Sequence, residues 1–182
     1  MVEYREYRSD DMVPILEVSK RAWAPVFKKL EPAVQGYVYS SFYPEGWWTR
    51  QEADIRAYLE DDLVRTHVAV IEDFVGGFVG TRIHPEDQMG EVFIIAVDPT
   101  HQRKGIARRL MEISFHHAKE AGMKIMMVET GDDPGHKPSR SAYESMGFTR
   151  WPVARYFREL DWSSVHLEIY AVEEFEAAHK NG

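Results

Sequence analysis

The chain has no cysteine among its 182 residues. That excludes a disulfide framework, a thiolate nucleophile and any cysteine-based metal site. It has no basic excess either: 22 Lys and Arg face 30 Asp and Glu, a formal net charge of −8. General nucleic-acid binding needs a basic face, so it is not expected. No apolar run approaches the ~18 residues of a membrane span. The opening MVEYREYRSDD is too charged for a signal peptide, and the expectation is a cytoplasmic protein engaging neither nucleic acid nor membrane. His-Glu-x-x-His and Walker-type patterns are absent, so no zincin metal site or P-loop is expected, and no metal at all. There is no internal repeat or low-complexity tract. What remains, 44% hydrophobic and 29% charged, reads as one globular domain over residues 1–182.

The stretch from Glu91 to Gly122 organises the chain. Val92 to Val97 is an apolar run bounded by charges, a pattern that predicts a strand buried on both faces. Asp98 and Pro99 stop it. Gln102-Arg103-Lys104-Gly105-Ile106-Ala107 follows, and then apolar residues recur at helical spacing, with Gly122 as the C-terminal cap. A strand, a short loop and a helix N-terminus therefore come together at Gly105. The first turn of a helix has unpaired N–H groups and attracts phosphate. Gly105 lets a ligand approach the backbone. Arg103, Lys104, Arg108 and Arg109 would be disfavoured at a helix start unless an anion offset the cost. The alternative is a structural joint with a solvated basic first turn.

Gln102-x-x-Gly105-x-Ala107, after the strand Ile95-Ala96-Val97-Asp98-Pro99, resembles the signature of the GNAT superfamily of N-acetyltransferases. Ser141-Ala142-Tyr143-Glu144-Ser145-Met146-Gly147-Phe148 is similar to a second region of that family. The two matches stand in the family's order, and the resemblance covers roughly residues 66–160. It implies an α/β (α+β) fold: a mixed, mostly antiparallel twisted sheet with a parallel, splayed central strand pair, flanked by helices. It also implies acetyl-CoA as co-substrate. The pyrophosphate would lie on the backbone of Gln102, Arg103, Lys104, Gly105, Ile106, Ala107 and Arg108. Main-chain atoms of Ile95, Ala96 and Val97 would meet the pantetheine arm and the acetyl carbonyl.

The resemblance places Tyr143 as the acid that protonates the leaving thiolate; by itself, Tyr143 also reads as an ordinary half-buried helix tyrosine. The amine acceptor must lose its charge: a lysine-like amine is neutral in about one molecule in 2,500 at pH 7, a penalty of ~4.6 kcal/mol. Glu129, at the end of the second buried strand, is the first candidate base, and Glu91 the second. Either could instead be a strand-end charge facing water. His136 stands where the family often has an asparagine that contacts the cofactor; it could supply that contact, act as a base, or be a surface histidine. With no cysteine to carry the acetyl group, transfer would be direct, in a ternary complex.

Elsewhere, residues 2–8 read as a strand and Ser9 as the cap of a first helix. From Trp23 to Trp48 inclusive there are eight aromatic residues, with Pro25, Pro32, Gly36, Pro44 and Gly46 interrupting any long helix. This segment, about 23–60 on the acceptor side, reads as a second hydrophobic cluster, an aromatic-lined acceptor pocket or a homodimer surface. Gln51–Asp62 reads as a short helix. His67–Ile71 and Phe74–Ile83 read as a hairpin around Glu72-Asp73, with Gly76, Gly77 and Gly80 marking a bulge or close packing. Ile125–Val128 reads as a strand parallel to the central one. Ser139 to Met146 reads as a helix, Arg155–Leu160 and Val165–Ala171 read as strands, and Glu173–His179 reads as a short terminal helix or a fraying tail. The leading function is acetyl transfer to a primary amine, with a small-molecule acceptor favoured. The alternatives are a non-catalytic acyl-CoA-binding regulatory domain, a protein N-terminal or lysine acetyltransferase, and an interaction protein using the aromatic segment.

Overall fold

The structure, a computed structural model, describes residues 1–160; the strand expected at 165–171 and the helix expected at 173–179 lie outside the described residues. The chain divides into two compact units, the first Met1–Arg150 and the second beginning at Trp151. Every helix and strand of the described residues belongs to the first. Residues 151–160 carry no helix or strand, so the strand expected at 155–160 is not formed. Alternation alone does not make a strand, because the backbone also needs a hydrogen-bonded neighbour.

Five strands form one sheet in chain order: β1 (Val2–Glu6), β2 (Val64–Ile71), β3 (Phe74–His84), β4 (Met89–Val97) and β5 (Ile125–Val128). The first three pairings are antiparallel and β4–β5 is parallel, the mixed sheet expected, with the parallel pair at the edge of the described sheet. Glu72 and Asp73 both take positive φ, 49° and 71°, the geometry a two-residue hairpin needs. The bulge that the glycines suggested occurs twice: the register shifts beside Gly76 and again beside Gly80. At the second shift Gly80 pairs with Ile94 and Thr81 with Val92, leaving Phe93 as an extra residue on β4. Phe93 is 40% exposed. The run from Val92 to Val97 is thus not buried on both faces along its length, because the bulge turns Phe93 outward.

Helices cover both faces. On one side α1 (Met12–Leu30) and α3 (Trp47–Leu59) bury Ile15, Val18, Ile55 and Tyr58 against Val68, Phe78 and Ala96. On the other, α4 (Ile106–Glu120) sets Ile106 and Leu110 on Ala69, Val79, Val92 and Val97. Burying an aliphatic side chain of this size contributes about 1.5–3 kcal/mol. Gly122 ends α4 at φ 78°, with Met123 N–H on Ala118 O and Gly122 N–H on Lys119 O, the double bond pattern of a glycine C-cap.

Three expectations are corrected. Pro25 lies inside α1, which continues to Leu30; packing of Phe27 (7% exposed) holds the helix across a residue that removes one of its bonds. Met12 begins α1 after a 3₁₀ turn at Ser9–Asp11, and α2 (Gly36–Phe42) and α3, which starts at Trp47 rather than Gln51, take up most of the aromatic segment. Finally, α5 (Lys137–Ser145) is capped by His136 rather than Ser139, because Pro138 fits the first turn, where its missing N–H costs nothing. Among the described residues no helix is long and apolar enough to cross a membrane.

Candidate active site

Strands β4 and β5 pair only from Met89–Ile125 to Val92–Val128, yet β4 runs on to Val97. From Phe93 to Val97 one edge of β4 therefore has no strand partner among the described residues. Such an edge offers a row of N–H and C=O groups to an extended ligand. The side chains of Ala96 and Val97 are packed into the two cores (6% and 7% exposed), so only their backbone can serve. Ile95 lines the gap.

Beyond β4 the loop is tied down before it reaches α4. Asp98 accepts from Thr100 N–H (2.9 Å) and Oγ1 (2.6 Å) and from Arg21 Nε (2.7 Å). Burial alone would raise its pKa, but these donors hold it below the ordinary carboxylate value. Gln102 Nε2 donates to Val97 O at 3.0 Å, and Lys104 Nζ to Thr100 O at 3.0 Å. Gln102 and Lys104 thus brace the loop. Gly105 caps α4 at φ 82°, and a Cβ built there would meet no atom within 4 Å. The first bond of the helix runs from Arg109 N–H to Gly105 O, so the N–H groups of Ile106, Ala107 and Arg108 precede it. Arg109 turns to Glu112 (3.1 Å). Arg103 and Arg108 are exposed and make no ion pair among the described residues. The result is an open seat for an anion, with donors and two cations in place.

A cavity of 550 Å³ lies beside the open edge of β4. Phe93, Ile94 and Ile95 form one wall, Trp23 and Phe27 of α1 and Asp54 and Tyr58 of α3 another. Val128, Glu129 and Thr130 close it from β5, and His136, Ser139 and Tyr143 from α5 and its cap. Burial raises the Tyr143 pKa above its ordinary value, which keeps its proton on at neutral pH. His136 Nδ1 lies 2.5 Å from Asp133 Oδ2. Arg82, stacked over Phe93 at 4.3 Å, donates to Asp61 Oδ2 at 2.5 Å, and both line the cavity.

Tyr143, Glu129, His136 and Ile95, singled out in the sequence, are thus brought to one cavity, while Gly105 and the first turn of α4 lie along the strand that borders it. Glu91 does not line the cavity; its carboxylate meets His84 Nε2 at 2.8 Å. The aromatic segment divides. Phe27 stacks on Trp47 (4.5 Å, 13°) and meets Tyr43 edge-on (5.3 Å), a packed cluster, while Trp23 and Phe27 present surface to the cavity. Phe93, Arg82, Asp54, Asp61 and Asp133 were missed. Gly80 signalled the bulge but not which residue it would expel, and Asp133 three residues before His136 was a legible turn pair.

The model of the acetyltransferase (GNAT) family matches residues 33–148. The chain belongs to that family. Of its curated relatives, a mycothiol acetyltransferase of Thermomonospora curvata is 33% identical over 123 residues, covering 66% of this chain and 40% of the relative. One of Kocuria rhizophila is 33% identical over 90 residues, 47% of this chain and 29% of the relative. The chain thus matches well under half the length of these GNAT relatives. Among solved structures, an aminoglycoside N-acetyltransferase in complex with CoA has a TM-score of 0.61 at 15% identity, covering 88% of this chain and 96% of that one. The Escherichia coli ribosomal-protein-S18-alanine N-acetyltransferase has a TM-score of 0.63 at 18% identity, covering 88% and 85%. At such identities these two share the GNAT fold.

Proposed function

We propose that this chain transfers the acetyl group of acetyl-CoA directly to the primary amine of a small-molecule acceptor. The observation that carries this reading is the unpaired edge of β4 leading from the cavity toward the open first turn of α4. A long anionic thioester fits that path, its phosphates on the N–H groups of Ile106–Arg108 and its thioester at Phe93–Ile95, where a backbone N–H can stabilise developing charge on the carbonyl oxygen. Tyr143, which lines the cavity and is kept protonated by burial, is the donor in this reading, giving its proton to the thiolate as the C–S bond breaks. A small-molecule acceptor is supported by the 550 Å³ volume and the aromatic walls Trp23 and Phe27. The names of the mycothiol acetyltransferase relatives point the same way.

The test is a thermal-shift titration with acetyl-CoA, followed by coenzyme A release with glucosamine, spermidine, kanamycin and a short peptide. At 100 times its dissociation constant a ligand contributes about 2.7 kcal/mol, roughly 5–10 °C for a chain of this size. A shift with turnover of a small amine supports the proposal. Turnover of the peptide alone would replace the acceptor class. A shift without turnover of any amine would leave an acyl-CoA-binding domain, and no shift would remove acetyl-CoA.

A further inference from the structure

We infer that His136, oriented by Asp133, is the group that takes the proton from the acceptor amine in this cavity. The inference rests on the acetyl-transfer reading above and adds to it a residue and a role.

The segment 131–140 is built to hold one imidazole. Asp133 Oδ2 meets His136 Nδ1 at 2.5 Å, and its Oδ1 accepts from Gly135 N–H at 2.8 Å. The Asp133 side chain is 8% exposed against 28% for His136. Burial alone would raise the Asp133 pKa, but the bonds from His136 and from the backbone N–H groups bring it below the ordinary carboxylate value. An ionised carboxylate only accepts, so Nδ1 carries a proton; in the neutral ring Nε2 then holds the lone pair. Nε2 is then the ring nitrogen left to exchange a proton with whatever occupies the cavity that His136 lines.

The backbone around the pair leaves no slack. A Cβ at Gly131 would overlap Asp133 Oδ2, and one at Gly135 would come within 2.5 Å of Val26 O of α1. Arg140 reaches back from α5 to Gly131 O (2.6 Å) and Asp133 O (2.8 Å). The titratable and charged groups about the pair are Asp133, Arg140, Glu129 from the end of β5, Asp54 from α3, and Tyr43 and Tyr143. α1 presents Val26 to this loop. Glu129 also lines the cavity and is exposed just past β5; His136 is two-thirds or more buried and held on a carboxylate that is itself buried. Imidazole exchanges protons near neutral pH, where a general base is most efficient.

The protons balance. An ammonium that becomes an amide loses two. The first leaves to solvent. As the nitrogen bonds to the thioester carbon and the carbonyl electrons move to oxygen, the second passes to His136 Nε2. The C–S bond then breaks and the thiolate takes the Tyr143 proton. Protonated His136 and the Tyr143 phenolate are restored through solvent, so one proton is released for each acetyl group transferred.

The experiment measures kcat against pH for the wild type, His136→Gln, Asp133→Asn and Glu129→Gln, using whichever of the four amines above turns over fastest. Thermal midpoints are taken with and without acetyl-CoA. His136→Gln should lower kcat about 10²–10⁴-fold, remove the imidazole's step from the acid limb while leaving the fall due to the amine's own ionisation, and keep the full acetyl-CoA shift. Asp133→Asn should lower kcat and displace that step; a lowered midpoint alone would mark it as structural. Glu129→Gln should keep the step. An intact step in His136→Gln overturns the inference, as does loss of the step in Glu129→Gln. Loss of the acetyl-CoA shift in His136→Gln with the step intact would make His136 a cofactor contact. A wild type that turns over none of the amines would fail at the underlying reading instead.

Discussion

The two halves of the site are made from different materials. The proposed cofactor half, Phe93 to Arg108, is almost entirely backbone: a strand edge without a strand partner among the described residues, a braced loop and the open turn of α4. The proposed acceptor half is side chains delivered by separate elements: Trp23 and Phe27 from α1, Asp54 and Tyr58 from α3, Glu129 just past β5, His136 from the turn before α5 and Tyr143 from α5 itself. A backbone site tolerates side-chain change where the strand and turn survive. A side-chain site depends on each residue, and so on every element that positions one.

The comparison can be broken at several points. Tyr143 is the side chain on which both halves converge. Tyr143→Phe removes the proposed proton donor and should lower kcat about 10²–10⁴-fold while leaving the acetyl-CoA thermal shift intact; an unchanged rate across pH would show that the thiolate leaves unaided. Gly105→Glu attacks the backbone half, placing a strained residue and a carboxylate at the anion seat. It should lose the ~2.7 kcal/mol stabilisation expected at 100 times the dissociation constant, read as loss of the ligand-induced shift whatever the midpoint of the free variant. Trp23→Ala opens the acceptor half alone. It should raise the acceptor KM about tenfold, ~1.4 kcal/mol, with the acetyl-CoA shift unchanged. If acetyl-CoA binding falls as well, the halves are not separable.

The smallest effect lies outside both halves. Burial first and then Arg65 push the His67 and His117 pKa values below the ordinary value. The unfolded chain therefore binds protons more readily as pH falls below about 6.5. Stability should be level above neutral pH and decline from about 6.5 downward until the folded-state values are passed. Midpoints recorded from pH 8 to pH 5 test this. His67→Gln should flatten the decline without altering the acetyl-CoA shift at pH 7.5.

Much of the cofactor half was legible because its information is local. Strand, breaker, basic turn and glycine follow one another along the chain, and Gly105 adopts a positive φ that a glycine takes without strain. The parallel pairing of β5 followed from the helix between the strands. The acceptor half was legible only as a supply of aromatic residues. Pro25 suggested a break where packing of Phe27 carries α1 through, and Ser139 suggested a cap that falls to His136. Glu91 and Glu129 looked alike as strand-end carboxylates, but only Glu129 reaches the cavity, since Glu91 is held by His84.

By itself the sequence determined the order of strands and helices about Gly105, the hairpin at Glu72-Asp73, the lack of a cysteine nucleophile and the family signature, because these depend on composition or on residues adjacent or a few positions apart. Only the tertiary structure decided that the bulge turns Phe93 toward the cavity, that β4 and β5 part after Val92, which aromatic rings line the acceptor wall, and that His136 is gripped by a buried Asp133 against Val26 of α1. Each of these requires backbone segments distant in sequence to close on one another, and that closure is set by packing rather than by local pattern.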